Sequence, residues 1–301
     1  MMGGSHFDAK VAEEFSSYLA TCWNGQFKHQ YPISNHPAWR KWRKSSAGRE
    51  LWSCNNLRDA SEKYSWVDNT DSGTPKTLQD ALQRALSSGD DKAAKTTCFD
   101  IFKWGQVSRS EKRDDATGKY KDKCRNWVET MSSKGELCKQ IYRAVNLLQP
   151  ECTEALSEFS SAGLLMNSSM TKVYAFADTQ KKIAIYDSRV GAALGFITRN
   201  FLTNNGYDEI PPQLRFMWGD ASSISGRKAR TRDPSNAVYK FPKFPYGLKA
   251  DFVKANLSRD TNVLLQMALS RINQSFPLVT LEEIERSLFM IGFDVRGNLA
   301  G

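Results

Sequence analysis

The stretch MTKVYAFADTQKKIAIYDSRVGAAL, residues 170–194, decides the fold. Apolar residues at helical spacing carry Lys172 near the start of one helix. A short polar loop follows, IAIY turns apolar again, and a second helix begins at Asp187. A cation in the first turn opposes the helix dipole, so Lys172 stands where a purely structural lysine is disfavoured. An aspartate ahead of a helix has an ordinary task, because its carboxylate accepts the orphan N–H groups of the first turn. The same placement keeps a carboxylate ionised and rigid.

Outward from there, most of the periodic signal is helical. Val11, Phe15, Tyr18 and Cys22 fall on one face of a first helix. Thr74-Pro75 opens a helix with Leu78, Leu82 and Leu86 on a stripe and Gly89 as its stop. KTTCFDIFKWG predicts a buried helix ending near Gly105, and the polar run SRSEKRDDATGKYKDK a solvated loop or helix edge. Leu137, Ile141, Val145 and Leu148 form another stripe, closed by Pro150. Further helices are expected from Cys152 through Leu156 and Phe159 to about Leu165, over SRVGAALGFITRNFL, and over NVLLQMALSRINQSF. Thr280 and Glu283 make a capping box for the last one.

Residues 204–250, rich in Pro, Gly and Arg, read as a long irregular segment. Short β pieces are expected at 65–67, 183–186 and 238–241. The expected architecture is mainly α: two helical lobes with a central cleft, an N-terminal helical region over 1–95 and a helical core over 96–301. The opening MMGGSH reads as an appended remnant outside the fold.

The 301 residues carry a net charge of +9, which favours a polyanionic partner. No apolar run approaches the roughly 18 residues that span a bilayer, and no signal peptide is visible. The six cysteines are dispersed without a CxxC, and the histidines stand at 6, 29 and 36, so neither a metal site nor a cofactor is expected. A reduced, cytoplasmic or nucleoid-associated monomer is the expectation.

An amine and a carboxylate facing one cleft can attack and stabilise a sugar C1′ carbon. A desolvated lysine loses its proton more readily and becomes a nucleophile for a Schiff base. Asp187 can stabilise a cationic sugar or orient the attacking group, and Arg189 can anchor a phosphate or pair with Asp187. Two basic clusters can neutralise phosphates: Arg40, Lys41 and Arg43 interleaved with Trp39 and Trp42, and Arg227, Lys228, Arg230 and Arg232 in the irregular segment. Trp23, Phe27, Trp104, Trp218 and Phe293 are candidate walls for a base pocket, though a residue of each kind is more often part of a core. Trp218 stands out because an exposed tryptophan in an irregular segment needs a reason.

Helix, tight hairpin, Thr171-Lys172-Val173, helix, loop and then YDSRV (186–190) together resemble the helix-hairpin-helix DNA glycosylase superfamily, in its 8-oxoguanine DNA glycosylase-like branch. The likeness covers about residues 150–200, with echoes in FKWGQVSR (102–109) and IERSLFMIG (284–292). It implies a DNA partner with a flipped base, Lys172 as the Schiff-base lysine and Asp187 as the essential aspartate. The hairpin reads GLLMNSSMTK with Gly163 its one glycine, so Ser168 and Ser169 are the candidate phosphate donors there. Lys172 and Asp187 stand closer in sequence than in lysine-using members, which leaves room for a single-function enzyme using Asp187 and water. The alternative is a non-catalytic DNA-binding module in which Asp187 only caps its helix.

Overall fold

Among the described residues, seven helices start by one device. Asp8, Asn56, Thr74, Asp90, Asp122, Asp187 and Thr280 each accept backbone N–H groups of the turn that follows. At Thr74 and Thr280 the third helical residue bonds back, completing capping boxes.

The structure is a computed structural model and describes residues 8–33, 50–66, 74–160, 162–220, 231–247 and 249–296. Among these residues the fold is mainly α, with ten α-helices: α1 (Ala9–Asn24), α2 (Leu57–Glu62), α3 (Pro75–Ser88), α4 (Asp91–Trp104), α5 (Lys123–Ser133), α6 (Leu137–Leu148), α7 (Met170–Ala177), α8 (Ser188–Asn204), α9 (Ala250–Ser275) and α10 (Leu281–Ile291). Two short antiparallel strands, β1 (His29–Pro32) and β2 (Leu51–Cys54), pair Tyr31 with Trp52. Among the described residues no helix is long and apolar enough to cross a membrane.

The backbone divides into two compact units, Met1–Val67 with Asp187–Phe244 and Val263–Gly301, and Asp68–Tyr186 with Pro245–Asn262. A boundary at residue 95 falls inside α4. In the first unit α10 packs on α2 and α8. Phe15 meets Phe201 and Phe216, and Tyr31 stacks between Trp52 and Phe293. Gly292, just past α10, lies so close to the Arg189 backbone that any side chain there would strike it, which seats the first turn of α8. In the second unit α7 is buried through Val173, Tyr174 and Phe176 in a core built from the stripes of α3, α4 and α6.

Several elements differ from the sequence reading. The described residues of 152–165 form turns and bends, not a helix: Leu164 donates to Glu158 O, Ser160 to Leu164 O, and Arg143 holds both Glu154 and Glu158. Their apolar spacing reflects burial of Leu156, Phe159 and Leu165 from an irregular chain. The expected strands are also absent at the described parts of 65–67, at 183–186 and at 238–241. Ala184 N–H goes to Asn262 Oδ1 and Tyr186 N–H to Thr171 Oγ1, so side chains replace a ladder partner. Around 238, Asn236 Oδ1 accepts from Val238 and Tyr239 and makes a turn. The sequence reading also omitted α2, α5 and the first half of α9.

Candidate functional site

Lys172 belongs to the second unit and Asp187 to the first. Lys172 lies in the first turn of α7, 5% exposed. Its Nζ donates to Ser168 O at 2.9 Å. The alkyl stem runs over Gly105, the residue closing α4. A Cβ at Gly105 would stand 2.6 Å from Lys172 Cδ and 2.8 Å from Cε.

The hairpin ahead of α7 is organised by Asn167, whose Oδ1 accepts from Ser169 N and Met170 N. Ser169 is buried and its hydroxyl is bonded to Ser108 Oγ at 2.8 Å, so it is turned inward rather than toward a surface phosphate. Ser168 is half-buried and uses its carbonyl on Lys172. Arg125, buried against Phe99, donates to Ser108 O at 2.7 Å and pins the loop after α4, where Gln106 and Ser108 have positive φ.

Asp187 is the N-cap of α8. Its Oδ1 accepts from Arg189 N at 2.9 Å and Val190 N at 3.2 Å, with the side chain 9% exposed. Arg189, read as anchoring a phosphate or pairing with Asp187, is buried with its guanidinium among rings, 4.2 Å from the Phe289 centroid, 4.9 Å from Phe293 and 5.1 Å from Trp66. Burial holds it below the usual arginine range, and Asp187, Tyr31 and Tyr64 pull it back up. Arg232 reaches the same turn, where its Nη1 donates to Ser188 Oγ at 2.5 Å. Burial and the charge of Arg189 both push it down, to about 9. The first unit therefore brings Asp187, Arg189, Arg232 and Phe293 to one helix start.

The remaining aromatics mostly serve cores. Trp218 is 1% exposed with Nε1 on Phe241 O, so the expected exposed tryptophan is a packed one, flanked by Lys243 over its ring. Trp23 is buried in the first unit and Phe27 packs edge-on to Phe196. Trp104 is half-buried against Phe176 in the second unit. Arg40, Lys41, Arg43, Arg227, Lys228 and Arg230 lie outside the described residues.

Sequence reasoning took Gly105 only as a helix end and passed over Asn167, Ser188, Trp66 and Phe289. An asparagine three residues ahead of an apolar helical run was a visible capping signal for Asn167. The ring partners of Arg189 come from distant segments and left no local trace. Protein-family models, curated proteins and solved structures were each compared with the chain, and none matches.

Proposed function

We propose that this chain is a DNA glycosylase of the helix-hairpin-helix type, with Lys172 available for strand cleavage. The observation that carries the reading is the order of parts. A side-chain-capped hairpin leads into α7 with a buried lysine in its first turn, and α8 opens on a carboxylate fixed by two backbone N–H groups. The net charge of +9 suits a nucleic acid.

In the proposed reaction the bond from C1′ to the base nitrogen breaks and its electron pair leaves with the base. The Asp187 carboxylate stabilises the positive charge growing on the sugar. Water attacks C1′, Asp187 takes its proton, and the base is released. In a separate step on the abasic sugar, the deprotonated Lys172 amine condenses with the C1′ aldehyde, water leaves and an imine forms. Loss of a proton at C2′ then expels the 3′ phosphate.

A non-catalytic DNA-binding module is the second reading. It is favoured by the fact that Asp187 caps its helix just as six other residues here cap theirs. Borohydride trapping on duplexes with altered bases separates the two. The lyase gives a covalent adduct that Lys172→Gln abolishes. The single-function enzyme gives base release without an adduct, lost in Asp187→Asn. DNA binding with no base release from any duplex supports the module and rejects the glycosylase.

A further inference from the structure

The start of α8 gathers the buried guanidinium of Arg189 and the half-buried Arg232, whose Nε is buried, near one carboxylate. Asp187 contributes that carboxylate, which is already engaged by two backbone N–H groups. The Arg189 guanidinium lies among three aromatic rings. Arg232 donates to the Ser188 hydroxyl, and its Nε–H is wholly buried with no partner among the described residues. Asp220, the other nearby carboxylate, is taken by Lys243 at 2.9 Å. A buried, unpaired guanidinium N–H costs about 1–3 kcal/mol or more, a cost that an arriving acceptor would relieve.

Which acceptor fits follows from the neighbours. A base that already carries a positive charge would meet the charges of Arg232 and Arg189 at Arg232 Nε. A group that is neutral on arrival and negative afterwards gains most, because the donor is then stronger at the transition state than in the ground state.

On the glycosylase reading, we propose that Arg232 is a catalytic residue for the leaving group: its Nε–H donates to a ring carbonyl oxygen of the departing base and stabilises the negative charge left on that base. As the glycosidic bond breaks, its electron pair passes into the ring and onto the carbonyl oxygen held by Arg232. Water protonates the base after release. The substrate class is then a neutral base bearing a carbonyl, which leaves as an anion. Alkylated purines, which carry a positive charge before cleavage, are excluded by the two arginines.

The test is single-turnover base release at saturating enzyme. Matched duplexes hold uracil, 5-fluorouracil, 5-hydroxymethyluracil, 8-oxoguanine or N7-methylguanine. The wild type is expected to release at least one carbonyl base and to leave N7-methylguanine at its spontaneous rate. Arg232→Gln is expected to lower release about 100-fold, with a larger loss for poorer leaving groups, Arg232→Lys recovering part of the rate, and affinity for a duplex with an abasic analogue nearly unchanged. Release of N7-methylguanine above its spontaneous rate overturns the proposal, and this arm needs no folded variant. So does an Arg232→Gln enzyme with full single-turnover rate but weaker binding of every duplex, the signature of a backbone grip. Either result leaves the glycosylase reading standing. A wild type that frees none of these bases overturns the proposal, and the wider duplex panel then decides whether the glycosylase reading goes with it.

Discussion

The side chain of Lys172 lies directly on the α-carbon of Gly105, with no room between them for a methyl group. Gly105 has φ −74°, so alanine fits the backbone and the clash falls on the flexible lysine stem. Gly105→Ala should therefore cost under about 1 kcal/mol of stability yet displace the amine from Ser168 O. Covalent trapping with borohydride should drop by about tenfold or more, while Asp187-dependent base release continues. Trapping at the wild-type level would show that the amine's position is not set by Gly105.

On the proposed reading Asp187 caps α8 and also acts in catalysis, and the two roles separate by substitution. An asparagine in its place would still cap α8, so Asp187→Asn should melt near the wild type while losing base release by about 100-fold or more. Asp187→Ala should lose the same activity and about 1 kcal/mol of stability besides. Thermal melting alongside single-turnover assays reads both, and a fully active Asp187→Asn enzyme would leave the residue a helix cap only.

How far the sequence reached can be judged from Lys172 and Asp187. The helix with Lys172, the helix capped by Asp187 and the Thr280–Glu283 box were legible because each depends on neighbours in sequence: an apolar stripe, a carboxylate before a turn, a reciprocal cap. Gly105 under Lys172, the rings around Arg189 and the reach of Arg232 to Ser188 join residues tens of positions apart, and nothing local encodes them. The described residues of 152–165 were misread as helix because buried apolar residues in irregular chain mimic helical spacing. Trp218 was misjudged for the opposite reason, since an irregular backbone can still wrap a tryptophan completely.

The basic run Arg227, Lys228 and Arg230 should contribute through phosphates alone. Replacing all three by alanine is expected to reduce the slope of log affinity against log salt by about 2–3, with the single-turnover rate at saturating enzyme unchanged. Fluorescence anisotropy from low to moderate salt measures this. An unchanged slope would place the cluster away from DNA.

Burial pushes the thiols of Cys22 and Cys54 up to about 12 from an ordinary value of 9.0. A raised thiol favours the folded state fully below its unfolded value and loses that contribution as pH climbs toward the folded one. The melting temperature should thus fall between about pH 9 and pH 12. At pH 8 the half-buried Cys152 should react with a disulfide reagent well before Cys22 or Cys54. Labelling of Cys22 or Cys54 as fast as Cys152 would contradict their burial.

The central claim is that this chain removes a base from DNA. Its most direct measurement is abasic-site formation across a panel of duplexes, each carrying one damaged or modified base, with wild type and Asp187→Asn side by side. The account expects at least one duplex to yield abasic sites with the wild type and essentially none with the variant. Tight binding of the whole panel with no abasic site formed on any of it would contradict the account outright.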